Sequence, residues 1–244
     1  MTKYTPFLFA AVAAAVSSCS TMAKIYEAST GPLQAMSDRL ASADQISVSG
    51  IRRLDSQLIE NKSVIGYAKV DMLVDRPDRV KVAVRGAANQ RDYYLSKDGS
   101  VIYESASGHY ARFPGNSTIE QALDAAAQEF GIHIPAQDFL SANPYKSLAS
   151  NTDTITHAGV ESIDGIACDR VKGSREDLSW NMWIAKSDKL PRRFTITIPG
   201  MSGSDQYRVD FHKWNLNPGL SANDFTFTPK KTDSEIEFYT PEEG

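Results

Sequence analysis

Four histidines, two cysteines and one close pair of aspartates are the side chains best suited to chemistry here, and their spacing decides what they could do. His109, His133, His157 and His212 are widely separated. None forms an H-x-x-x-H pair, so no zinc-ligand spacing is present, and each reads as a surface or loop residue. Asp75 and Asp78 flank Pro77. Two such carboxylates could share a proton, but Asp-Arg-Pro-Asp between two apolar runs reads as a capped β-turn. No G-x-S-x-G elbow presents a serine nucleophile. Gly200-Met201-Ser202-Gly203 has the wrong spacing and falls in an expected hairpin loop. Walker A and Rossmann glycine patterns are also missing from the sequence. Cys168 lies in the strand-like run Ile166 to Val171, with no histidine near it in sequence, and reads as a small buried hydrophobe. The expectation is a non-catalytic protein, not an enzyme, with no metal and no cofactor.

The second cysteine carries a different message. Lys3 supplies a short positive n-region, and Thr5 to Val16 an apolar h-region too short to span a bilayer stably. Val16-Ser17-Ser18-Cys19 follows. It resembles a bacterial lipobox, with Val16 where Leu is commoner. The resemblance implies that residues 1–18 are a lipoprotein signal peptide. It also implies that Cys19 takes a diacylglycerol on sulfur, becomes the mature N-terminus and is then N-acylated by a palmitate-type chain. Ordinary signal-peptidase cleavage nearby, with Cys19 incidental, is the alternative. Ser20, not Asp, follows the cysteine, which by the same pattern implies the outer membrane, facing the periplasm. Several acyl chains anchor firmly, because each buried methylene contributes about 0.8 kcal/mol. With Cys19 lipidated, Cys168 has no disulfide partner.

Composition narrows the classes further. A chain of 244 residues, 41% hydrophobic and 23% charged, fits one good-sized domain. Its formal net charge of -4 argues against nucleic acid, since phosphate binding needs a basic face.

The elements that must position any site begin with Val64 to Gly86. Val64, Ala68, Val70, Met72 and Val74 share one parity, and Tyr67, Lys69 and Asp71 the other. After the Asp75 to Asp78 turn, Val80, Val82 and Val84 resume the alternation against Lys81 and Arg85. That is the period-two pattern of two half-buried antiparallel strands. Before them, residues 19–30 read as a tether, Pro32 to Ala43 as an amphipathic helix, and Ile46, Val48 and Ile51 as the first strand. Asp55 to Ser63 reads as a hairpin loop. After them, Arg91 to Ser96, Val101 to Glu104 and Tyr110 to Phe113 continue a meander of up to six strands through Asp98-Gly99 and Ser107-Gly108 turns.

The period then changes. Ser117 or Thr118 caps a helix over Thr118 to Gly131 with an Ile119, Leu123, Ala126, Ala127, Phe130 stripe. Short helical pieces around Phe139, Leu140 and Leu148 follow, so residues 118–150 read as a helical lid. Strands resume at Thr152, with an Asp164-Gly165 turn. Trp180, Met182 and Ile184 share a parity, as do Phe194 and Ile196, and then Val209 and Phe211. Trp180 and Trp183 fall on opposite faces. Asp224 to Thr228 reads as a last short strand. One domain over 31–230 and a polar tail over 231–244 complete the expectation.

Several of these residues carry a resemblance. Arg76-Pro77-Asp78-Arg79 between long strands, the Thr118 to Gly131 helix, Pro144-Tyr145, and the set Gly165, Cys168, Trp180, Trp183, Ile184 and Pro191-Arg192 are similar to a family of bacterial predicted periplasmic proteins of unknown function. That family resembles the lipoprotein-carrier superfamily of LolA and LolB. The implied fold is mainly β with α. A strongly curved antiparallel sheet, a half-open barrel, is covered by an N-terminal helix and a central helical lid.

A hydrophobic cavity for acyl chains between sheet and lid is implied with it. The inward apolar residues themselves fit either a packed core or such a cavity. Small lid residues, Ala122, Ala125, Ala126 and Ala127, favour the cavity. Its candidate lining is Val70, Met72, Val82, Val84, Leu123, Ala126, Phe130, Phe139, Trp180, Phe194 and Ile196. The expected function is an outer-membrane-anchored periplasmic lipoprotein that binds a lipid or lipoprotein acyl chain and is held to the membrane through Cys19. The alternative is an envelope protein-interaction or sensing module of the same fold with no bound lipid.

Overall fold

The computed structural model describes residues 30–55, 66–87, 90–130, 134, 136–201 and 205–237, without the side chains of residues 129 and 130. The expected signal peptide, Cys19 and most of the tether lie outside the described residues, as do loop residues 56–65. Period-two alternation becomes one sheet. Its strands are β1 (Gln45–Leu54), β2 (Gly66–Asp75), β3 (Arg79–Gly86), β4 (Gln90–Leu95), β5 (Ser100–Glu104) and β6 (His109–Phe113) in the first half. The second half holds β7 (Thr154–Ile163), β8 (Ile166–Arg175), β9 (Leu178–Ala185), β10 (Pro191–Thr197), β11 (Tyr207–Leu216) and the two-residue β12 (Ser234–Glu235).

The order is β12-β6-β5-β4-β3-β2-β1-β11-β10-β9-β8-β7, a 12-stranded sheet that is curved and open, since β12 and β7 end it unpaired with each other. Two meanders are joined where β1 pairs with β11 as well as with β2. Every pairing is antiparallel except β12 with β6.

One face of this sheet is apolar and is covered by helices. The first described helix, α1 (residues 30–41), buries Leu33, Met36 and Leu40 completely, which is the expected three-and-four spacing at work. The lid follows β6. Its first helix, α2 (Ile119–Phe130), is capped by Thr118, whose Oγ1 accepts from the Gln121 amide at 3.2 Å. A 3₁₀ turn (Gln137–Phe139) leads to α3 (Pro144–Ala149), which has proline in its first turn. The Asn143 side chain caps α3 by accepting from the Lys146 amide at 2.9 Å.

Both covers are tied to the β2–β3 turn. Arg76 donates to the carbonyls of Ala43, just past α1, and of Leu140 in the lid, each at 3.2 Å. Pro77 accepts from the Ile119 amide at 3.0 Å. Asp75 pairs with Arg79 at 2.5 Å, so this aspartate serves the turn.

The C-terminal part departs from expectation. Residues 222–225 form a 3₁₀ turn closed by a Ser221–Asp224 capping box, and Asp224 to Thr228 is not a strand. Phe227 instead packs on the outer face against Tyr94, Tyr103 and Tyr110, with ring centroids 5.6, 5.0 and 5.0 Å away. Aromatic packing of this kind outweighs the weak strand propensity of a five-residue alternation. Beyond it, residues 234–235 pair with β6 where only a polar tail was expected. That pairing is made by main-chain hydrogen bonds and an Arg112–Glu235 ion pair, so no apolar pattern announces it.

Gly173 on β8 sits opposite Trp180 on β9. The indole lies so close over it that an added Cβ would meet Cε2 of Trp180 at 2.1 Å. Trp180 is held there by its Nε1, which donates to Thr152 Oγ1 at 3.0 Å. Gly173→Ala should therefore displace the indole and destabilise the fold by about 1–3 kcal/mol, read as a lower denaturation midpoint together with altered near-UV tryptophan dichroism.

Candidate functional site

The concave face is the candidate site, and pairing register sets its rows. Met72 lies opposite Val82, and Val70 opposite Val84. On the other side of the sheet Phe194 lies opposite Val209 and Met182. All of these are buried, with Val70, Val82 and Val84 at 0% exposure. The lid closes on them. The Phe139 ring meets Phe194 and Phe211 edge-on, each at a centroid distance of 5.4 Å, and Trp180 leans on Phe194 at 6.2 Å.

Eight of the residues picked from sequence (Val70, Met72, Val82, Val84, Leu123, Phe139, Trp180 and Phe194) fall in one contiguous apolar cluster. Ile196 packs against its margin. Ala126 is buried at 2% exposure but stands outside that cluster. The Phe130 side chain lies outside the description. Residues that sequence reasoning did not pick also line this face, among them Ile46, Val48, Phe211 and Leu148. Their alternation and helical spacing were visible, but which strands become neighbours across β1 and β11 was not.

Polar groups gather at one end of the concave face. The row there runs Val209, Arg52, Ala68, Gly86 across β11, β1, β2 and β3. Grouping Ile51 with Ile46 and Val48 hides Arg52. Strict alternation from Ile46 and Val48 points position 52 inward and Ile51 outward, and Ile51 is indeed on the outer face, 37% exposed. Burial lowers the pKa of Arg52, with the Tyr207 and Tyr93 rings nearby opposing the shift. The Tyr207 hydroxyl accepts from the Ala136 amide at 3.2 Å, and burial pushes its pKa up to about 12. Burial likewise raises the pKa of Asp138 in the lid.

The other suspected chemistry is dispersed. Trp183 and Cys168 form a small second cluster with Ile163 and Ala185, on the face of β9 opposite Trp180. The Cys168 thiol is pushed up by burial, as befits an inert core thiol. His157 contacts Asp169 at 3.1 Å. His109 and His212 are exposed, and His133 is outside the described residues. Among the described residues no three His, Cys, Asp or Glu side chains come together to hold a metal ion.

A wide, open, curved antiparallel sheet whose concave face is roofed by helices defines the class of protein. The chain belongs to the family of predicted periplasmic proteins DUF2092, whose model matches residues 31–239. No curated protein matches it. Among solved structures, an uncharacterized conserved protein from Thermus thermophilus is similar, with a TM-score of 0.50 at 9% identity over 89% of this chain and 99% of that one. Lipoprotein LppX of Mycobacterium tuberculosis gives a TM-score of 0.44 at 16% identity, over 76% and 93% of the two chains. A LolA superfamily protein from Nitrosomonas europaea gives 0.36 at 12%, over 80% and 97%. These likenesses are of fold alone. The fold expected from the resemblance is the fold observed.

Asp138 offers a pH test of the lid. Its folded pKa is raised, so the folded state holds its proton to higher pH than the unfolded chain does. Its stabilising share is therefore complete below the unfolded value of about 3.8 and is lost as pH rises through the folded value. Asp138→Asn should raise the melting temperature at pH 7, by on the order of a few degrees. The gain should shrink to nothing as pH falls below the unfolded value, in paired thermal scans.

Proposed function

We propose that this protein is a lipid-anchored, periplasm-facing lipoprotein of the outer membrane that holds a lipid or lipoprotein acyl chain between the concave sheet face and the lid, by burial and without reaction chemistry. The observation that carries the proposal is the continuous apolar face running across both meanders. It is roofed by a helix whose buried contacts are Ile119, Leu123 and the small Ala122 and Ala126. An alkyl chain entering between sheet and lid needs no charged partner. Removing its surface from water contributes about 25 cal/mol per Å², so a chain burying a few hundred Å² binds usefully.

Membership in a family of predicted periplasmic proteins agrees with export. The lipobox-like Val16 to Cys19 supports the anchor, and Ser20 the outer membrane. Docking of an envelope protein is the second reading. One observation favours it: Tyr67, 58% exposed, and Ile51 stand on the outer face beside a groove of about 500 Å³ that Lys69 and Arg85 also line.

The test is native mass spectrometry of residues 20–244, exported behind a cleavable signal and then extracted with organic solvent. A discrete added mass that extraction removes is expected. Bulky changes, Val82→Phe and Ala126→Trp, should lower occupancy several-fold while the fold is retained by circular dichroism. A protein that stays free of lipid after incubation with phospholipid and acyl peptide overturns the reading. In the full chain, Cys19→Ala should abolish incorporation of labelled palmitate.

A further inference from the structure

Arg52 is a strong cation that the strand alternation points into the concave face beside its apolar rows. Arg91, opposite Val84 on that face, is paired with Glu104, whereas among the described residues no carboxylate lies within ion-pair distance of Arg52. Its Nε is enclosed and has no hydrogen-bond partner. The carboxylates close to this end are otherwise engaged or biased toward the neutral form. Glu104 pairs with Arg91 at 3.2 Å, and Asp138 is shifted toward its protonated form by burial. Tyr93 and Tyr207 lie close enough for their charge to act on the guanidinium.

The side chains across from it are small. Opposite Arg52 on β2 is Ala68, opposite Ala68 on β3 is Gly86, and the next inward position on β2 is Gly66. A guanidinium whose enclosed Nε has no hydrogen-bond partner is unfavourable until an acceptor arrives. Its planar fork suits the two oxygens of a phosphate or carboxylate. The apolar rows begin directly beside it, at Val70 and Val84.

We propose that the ligand of the concave face is an acidic amphiphile whose anionic head, a phosphate or carboxylate, docks on Arg52 near Tyr93 and Tyr207 while its acyl chains run along Val70, Val84 and the lid. This rests on the acyl-binding reading above and adds the chemical class of the head.

The experiment offers the mature full-length protein, in detergent, phosphatidic acid and diacylglycerol with identical acyl chains, and separately glycerol 3-phosphate, with bound masses read by native mass spectrometry. The wild type should favour phosphatidic acid about tenfold, equivalent to about 1.4 kcal/mol. Arg52→Gln should erase the preference while leaving diacylglycerol uptake unchanged. Arg52→Lys should keep part of the preference, showing that charge and not packing is read.

Equal uptake of the two lipids by the wild type, or a preference that survives Arg52→Gln, overturns the head-group site and leaves acyl binding standing. No uptake of either lipid overturns both readings. Capture of glycerol 3-phosphate without lipid overturns the amphiphile in favour of a soluble anion.

Discussion

The rest of the structure depends on one constraint: an open sheet with one apolar face must have that face covered. A barrel would remove the problem by closing, but the order of these strands leaves β7 and β12 at opposite ends. Helix α1 and the lid supply the cover from two distant parts of the chain. Arg76 holds both of them by donating to Ala43 and Leu140. The long β2–β3 hairpin is therefore both the middle of the concave wall and the point where its roof is fastened. Hydrogen bonds from a charged donor to otherwise unpaired carbonyls suit this task, because they fix orientation where apolar packing is non-directional.

The convex face solves a different problem, staying wet without exposing sheet edges. Charges are paired across strands. Glu161 accepts from Trp183 at 2.8 Å and from Arg170 at 2.7 Å, which holds its carboxyl below the usual range. Arg193 and Arg208 share Asp210 at 2.5 and 2.6 Å. Single exposed pairs of this kind contribute little, but laid side by side they favour the observed register over its alternatives. Both edges are guarded. The C-terminal strap anchored by Phe227 adds β12 to β6. At the other end, β7 carries a bulge between His157 and Val160 and the charged Glu161, features that discourage strand addition.

The two faces divide the labour. The apolar surface of the concave face continues over both meanders. Charge interrupts it at one end, where Arg52 stands with the Tyr207 hydroxyl and Asp138 close by and where Arg91 pairs with Glu104. An apolar wall with an unpaired cation at its end would let a site tell one end of an amphiphile from the other. Burial strengthens the distinction, because charge interactions gain as water is excluded.

Much of this was legible in the sequence. Alternation in Val64 to Val84 and in Trp180 to Ile184, the Asp-Gly turns and the switch to helical spacing at Thr118 are local signals, and local periodicity determines which side chains share a face. The sequence by itself therefore determined the strands, the lid and most of the inward residues. What only the tertiary structure decided is what depends on distant parts of the chain meeting. The pairing of β1 with β11 joins the two meanders. The path of Phe227 onto the tyrosines replaces an expected strand. The isolation of Arg52 depends on what stands opposite it on β2 and β11. Whether a charge has a partner is a question about neighbours in space, and a period along the chain carries no information about them.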